Sequence, residues 1–255
     1  MSLQILTIPC RTDNYAYLAH DAATGDTALI DAPEAAPILE ALKRTGWRLT
    51  DVLLTHHHGD HVEGLAGVLA EAPARVIGAA ADARRLPSLD LAVAEGDTVV
   101  IGSETGHVID VSGHTVGHIA FHFPDSGAVF TADSLMALGC GRVFEGTMPQ
   151  MHASLAKLAA LPPGTLVYSG HEYTAANAAF ARTVDPGNPR LAARAEEIAR
   201  TRAEGRPTVP VPLSEELATN PFLRADDPAI RAHLGMEGAT DAEVFAEIRR
   251  RKDGF

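Results

Sequence analysis

A layered α/β fold followed by a helical C-terminal part is what this chain of 255 residues predicts, on three observations. Short β-like runs alternate with helical segments through the first two-thirds. The pattern turns wholly helical near residue 173. The hydrophobic fraction, 46%, supplies a sizeable core and argues against long disorder.

Taken in order, "LQILTIP", "YAYLAH" and "TALIDAP" read as strands, each closed by a turn residue. "APILEALKRTG" reads as a helix closed by Gly46. "DVLLT" is a short strand of the buried type that feeds the run "THHHGDH", and "HVEGLAGVLAEAP" is a helix ended by Pro73. "RVIGA", "DTVVIG", "HVIDVS", "IAFHF" and "AVFTAD" are strand-like. A helix over "MPQMHASLAKLAAL" and a strand "LVYSGH" close this part. Two mixed sheets with helices outside accommodate that order. Beyond it, "RLAARAEEIARTRAEG" is a charged amphipathic helix with a solvated outer face. "DPAIRAHLG" and "TDAEVFAEIRRRKDGF" are helices that each start on a capping signal. The predicted boundary, near residue 170, divides the chain into 1–172 and 173–255.

Composition excludes several partners. A formal charge of −12 argues against nucleic acid, so an anionic ligand needs a local basic patch. No stretch approaches the roughly 18 apolar residues of a membrane span. The start lacks a basic region followed by an apolar one, so no secretory signal is predicted and the protein is placed in the cytoplasm. Cys10 and Cys140, the only cysteines, fit free thiols in a reducing compartment.

The chemistry concentrates in "THHHGDH", residues 55–61. Imidazole and carboxylate are common ligands of zinc and similar divalent ions. In an extended chain alternate side chains share a side. His56, His58 and Asp60 would then lie together, with His57 and His61 turned elsewhere, and the run could serve two metals. This is not the helical H-E-x-x-H arrangement, because the ligands lie between a strand and a helix. One loop does not complete two coordination spheres. Further donors recur in one pattern, an apolar strand and then a ligand: His114 in "DVSGHTVGH", Asp133 in "AVFTADS" and His171 in "LVYSGHEY". The remaining histidines take structural readings, with His118 a candidate partner behind a ligand.

"THHHGDH", "SGHTVGH", "FTADS" and "SGHEYT" resemble the metallo-β-lactamase superfamily. "GCGRVFEGT", "GHEYTAANAAFA", "TNPFLR" and "IRRRKDGF" narrow the resemblance to the glyoxalase II, or hydroxyacylglutathione hydrolase, family, over essentially the whole chain. The resemblance implies an αββα sandwich with a small C-terminal all-helical domain that binds glutathione. It implies His56, His58 and His114 on a first metal, Asp60, His61 and His171 on a second, and Asp133 bridging both. This moves Asp60 to the second ion, against the extended-chain reading. It implies two divalent ions per chain, zinc first, with iron or manganese as alternatives. They would hold a bridging hydroxide, with Asp60 and Asp133 as the catalytic carboxylates. The implied reaction is hydrolysis of S-(2-hydroxyacyl)glutathione thioesters, chiefly S-D-lactoylglutathione, to glutathione and D-lactate, the second step of methylglyoxal detoxification. The implied substrate contacts are Arg142, Phe144, Tyr173, Arg249 and Lys252. Arg142 replaces the family's usual lysine and Phe144 its tyrosine. The expected partner is this small molecule alone, with no nucleic acid and no membrane, on a monomeric chain. Rival readings are a persulfide dioxygenase with one iron, an RNA- or lactone-cleaving hydrolase, and a metal-storage protein.

Overall fold

The computed structural model describes residues 2–255, which form two compact units. The first comprises residues up to 110 together with 116–131; the second comprises 111–115 and 132–255.

In the first unit, β1 (Gln4–Cys10), β2 (Asn14–His20), β3 (Asp26–Ile30), β4 (Arg48–Leu53), β5 (Arg75–Ala79) and β6 (Leu91–Val93) form one sheet in sequence order. Its first two pairings are antiparallel and the other three parallel. The crossover from β3 to β4 carries α1 (Ala35–Thr45), which buries Ile38, Ala41 and Leu42 against the sheet and ends on Gly46 at φ 71°, as predicted. Leu18, Leu29, Val52, Leu54 and Val68 belong to the core cluster that results. β7 (Thr98–Ile101), β8 (Glu104–Asp110), β9 (Ile119–Phe123) and β10 (Ala128–Ala132) follow as an antiparallel meander.

One predicted helix is broken. "HVEGLAGVLAEAP" forms α2 (Gly59–Val62) and α3 (Leu65–Glu71), interrupted at Glu63 and Gly64. Gly64 donates its N–H to Ala32 O at 2.8 Å. A Cβ on Gly64 would stand 2.7 Å from the Glu34 backbone, so only glycine permits this approach. The strand β6 was not foreseen, nor were the short β11 (Leu135–Met136), β12 (Gly139–Cys140) and β14 (Val211–Pro212).

The second unit holds the hairpin β11–β12 and β13 (Leu166–Ser169), which pairs with β14. Its helices are α4 (Met148–Ala159), α5 (Thr174–Val184), α6 (Pro189–Ala203), α7 (Leu213–Thr219), α8 (Pro228–Leu234) and α9 (Asp241–Asp253). Leu138, Ala178, Ala181, Leu191 and Ile198 form its helical core. α9 starts on a complete capping box between Thr240 and Glu243. Buried Glu216 pairs with Arg194 and accepts from Leu138 N and Asn220 Nδ2. Asn220 Nδ2 also donates to Met136 O at 3.2 Å and Gly139 O at 3.0 Å. The "TNPFLR" segment therefore pins the hairpin that separates Asp133 from Arg142.

Candidate metal centre

β4 delivers the histidine run to the edge of the first unit's core, and its first residue, Thr55, is fully buried. His56 and His58 keep the alternation of an extended chain, with His56 Nε2 and His58 Nδ1 3.1 Å apart. The chain then turns into α2, so Asp60 and His61 are neighbours on a helical turn. That turn takes Asp60 out of the extended alternation that would group it with His56 and His58. His61 Nε2 lies 3.7 Å from Asp60 Oδ2, which accepts from Asn14 Nδ2 at 3.1 Å.

The tautomers follow from the hydrogen bonds. Asp31 accepts Thr55 N at 2.9 Å and Thr55 Oγ1 at 2.8 Å. The one hydroxyl proton of Thr55 is thereby committed, so at 3.1 Å Thr55 Oγ1 accepts from His56 Nδ1. His61 Nδ1 donates to Asp31 Oδ2 at 2.8 Å. Both histidines are left with an Nε2 lone pair, the state in which imidazole binds a cation. Asp31, His56 and His61 also form a buried trio of potential donors. Asp31 is nonetheless engaged by Thr55 and His61, which makes it their orienting group. Its backbone takes φ 56°, a strained value for a side chain other than glycine. Sequence reasoning missed Asp31, although "ALID" carries the same signal as the other donors, an apolar strand and then an acid. Asn14 carried no such signal.

His57 turns away from these groups. Its Nδ1 meets Asp82 Oδ2 at 2.9 Å, and Asp82 also pairs with Arg85. His118 is buried and stacks on His56 with ring centroids 4.6 Å apart. His20 stacks on Trp47 and His152 leans on Phe245.

In the second unit, His114 Nδ1 donates to Arg142 O at 2.7 Å, again leaving Nε2 as the lone-pair nitrogen. That atom lies 3.5 Å from Asp133 Oδ2, and His171 Nε2 lies 3.3 Å from the same oxygen. Asp133 thus faces two histidines at once. Gly141 permits this: a Cβ there would meet Asp133 O at 2.0 Å and His114 Nδ1 at 2.9 Å. Tyr173, two-fifths exposed, stacks parallel on His171 at 4.6 Å. Phe144, largely exposed, presents to His114 edge-on at 5.3 Å.

The predicted substrate cations are engaged in different ways. Arg142 lies 5.8 Å from the Phe144 ring and pairs with Asp253 at 3.2 Å. Arg249 is 4% exposed, donates to Cys140 O at 2.8 Å, pairs with Asp253 at 2.9 Å and stacks over Phe222. Lys252 Nζ stands 5.2 Å from the rings of both Phe180 and Phe255. Burial, then the neighbouring Arg249, lowers its pKa from the ordinary lysine value.

Residues 13–171 match the family model of the metallo-beta-lactamase superfamily, and residues 172–255 match that of the hydroxyacylglutathione hydrolase C-terminus. The chain is 66% identical to a hydroxyacylglutathione hydrolase of Ruegeria pomeroyi and 64% identical to one of Cereibacter sphaeroides, each over 100% of both chains. Among solved structures it is similar to TTHA1623 in a di-iron-bound form, at 25% identity and a TM-score of 0.60, over 86% of this chain and 100% of that one.

Proposed function

The chain belongs to the hydroxyacylglutathione hydrolases of the metallo-beta-lactamase superfamily, and from that premise we propose that it hydrolyses S-(2-hydroxyacyl)glutathione thioesters, chiefly S-D-lactoylglutathione, to glutathione and the 2-hydroxy acid. The observation that carries this reading is the match over the whole chain, to relatives that share one name.

The site reading assigns His56, His58 and His114 to one divalent ion and Asp60, His61 and His171 to a second, with Asp133 serving both. The donor chemistry supports it. Three imidazoles have their outer nitrogens held as N–H donors by Thr55, Asp31 and the Arg142 carbonyl, so their Nε2 lone pairs remain for a cation. Histidine and aspartate without cysteine suit zinc, and iron or manganese as alternatives. The di-iron form of the similar structure supports two ions rather than one. When bound, such ions supply a nucleophilic water at neutral pH and polarise a carbonyl.

The chain's own residues supply the rest. Asp60, which accepts from Asn14 Nδ2, and Asp133 are the carboxylates assigned to hold the ions that would carry the attacking hydroxide. Tyr173 and Phe144 give the thioester end an aromatic rim beside His171 and His114. The leaving group is a thiolate with a conjugate-acid pKa of about 8.5, so it departs without a strong general acid. Arg249 and Lys252 are assigned to the glycine carboxylate of glutathione and Arg142 to the same basic patch, with a substrate-binding domain over 173–255 following a catalytic domain over 1–172. A cytoplasmic monomer completes the reading, with free Cys10 and Cys140 in support of a reducing compartment. Among the described residues no helix is long and apolar enough to cross a membrane.

The test is loss of thioester absorbance when the metal-loaded protein meets S-D-lactoylglutathione. Turnover of at least about 1 per second is expected of an enzyme on its own substrate. A fully loaded protein that leaves the thioester intact overturns the reading.

A further inference from the structure

The carboxylate of Asp253 stands where the local rules of α9 argue against it. The last turn of that helix carries Arg250, Arg251 and Lys252, as the negative end of a helix dipole favours, and Asp253 then adds an anion. Arg250 and Arg251 both pair with Glu247, so Asp253 is not their partner. Its Oδ1 accepts instead from Arg249 Nε at 3.1 Å, Arg249 Nη2 at 2.9 Å and Arg142 Nε at 3.2 Å. A residue that breaks a local preference is expected at a functional site.

One carboxylate oxygen thus gathers two guanidinium groups, one four residues away on the same helix and the other 111 residues away in the chain. Every nitrogen of Arg249 is already engaged, since Nη1 donates to Cys140 O. A second carboxylate reaches the Nε–Nη2 edge of Arg249 only in competition with the first. The environments make that exchange feasible. The Arg142 side chain is 52% exposed and that of Asp253 30%, so both can rotate toward water. The Arg249 side chain is only 5% exposed and stays held by Cys140 O and the Phe222 face. Two arginines and Lys252 against one aspartate leave the cluster cationic even when closed.

We infer that Asp253 is an internal stand-in for the substrate's carboxylate, occupying Arg142 and Arg249 in the resting protein and setting how tightly the glutathione end binds. The inference rests on the proposed function and adds to it a residue that determines affinity by competition.

The experiment is calorimetry on metal-loaded protein with S-methylglutathione, a thioether that cannot be hydrolysed, and with its glycine-amide form, which lacks that carboxylate. Asp253→Asn is expected to tighten S-methylglutathione about three- to tenfold, the range of a half-exposed charged contact. It is expected to leave the amide form unchanged. Asp253→Glu, which restores the competing charge, is expected to return toward the native Kd, and kcat on S-D-lactoylglutathione is expected to stay put in all three proteins. Thermal unfolding confirms that each variant is folded, and Asp253→Ser replaces Asp253→Asn if that variant is not. Unchanged or weaker binding of S-methylglutathione in the neutral variants, or an equal gain for the amide, overturns the inference while native hydrolysis leaves the function standing. A native protein that neither hydrolyses the thioester nor binds the thioether overturns both.

Discussion

At the scale of single residues, the hydrogen bonds separate the proposed ligands from their supports. Asp133 faces two imidazoles, whereas His57 faces Asp82, so the two make opposite predictions. Asp133→Ala is expected to lose activity by more than about 100-fold, together with bound metal, because a direct donor matters more than an outer partner. His57→Ala is expected to keep two ions per chain by elemental analysis and most of its activity. If the two variants behave alike, the ligand assignment is wrong. Asp31→Ala belongs between them, at about 10- to 100-fold in metal affinity, since it frees His61 Nδ1 and Thr55 without removing a donor. The cysteines give a prediction with a pH sign. Burial pushes the Cys140 thiol up to about 11 and the Cys10 thiol up to about 12, from an ordinary 9.0. A thiol whose folded pKa is raised favours the fold fully below the unfolded value, and that contribution is lost as pH rises from 9.0 toward the folded one. Native protein at pH 8 should therefore show no reaction with a disulfide reagent until denaturant is added, and then show two thiols. Rapid labelling of the folded protein would contradict the burial argument.

At the scale of elements, the site depends on places where backbone comes closer than a side chain allows. Gly141 lies just past β12, and a methyl group there would overlap the Asp133 carbonyl. Gly141→Ala is expected to cost about 1–3 kcal/mol of stability, as overpacking does, and to lower metal content through Asp133 and His114. A variant with native Tm and two ions would show that the loop gives way freely. The same kind of contact explains what was legible in the sequence and what was not. Strands such as "YAYLAH" and helices such as "APILEALKRTG" announce themselves through period and punctuation, because their partners are a core and a solvent. The seven proposed donors could be picked out because four cluster in one run and the other three repeat one pattern, an apolar strand and then a ligand. The break at Gly64 was not, since it needs Ala32 O from another segment. Nor were β11, β12 and β14, which span two residues each and carry no period. Asp82 and Asn14 were invisible for the same reason: each is defined by a hydrogen bond to the histidine loop from 25 or more positions away. The resemblance implies Arg249 as a substrate contact, and a resemblance carries no account of the Cys140 carbonyl or of Asp253.

At the scale of the whole molecule, an acidic protein of charge −12 is proposed to take an anionic substrate. Its overall field opposes that encounter, so the local cations must supply the attraction. The glycine carboxylate of glutathione lies several bonds from the thioester carbonyl. A contact made there is nearly the same in the ground state and the transition state, so its loss raises KM and spares kcat. Lys252→Ala is the cleaner of the two tests on α9, because Lys252 is only partly buried among Phe180 and Phe255. Arg249→Ala also strips Asp253 and the Cys140 carbonyl of a buried donor, so a lower Tm is expected beside its kinetic effect. A charge-assisted hydrogen bond is worth about 1.5–3 kcal/mol, or roughly 10- to 150-fold in KM. Partial exposure of the ammonium places Lys252→Ala at the lower end, about tenfold. A simple acyl thioester without the glutathione carboxylates should react poorly with the native protein and be indifferent to both changes. Steady-state kinetics on the two substrates decides the matter. If KM for S-D-lactoylglutathione is unmoved in both variants, the cations on α9 serve the packing of that helix alone, and the molecule must recognise glutathione elsewhere.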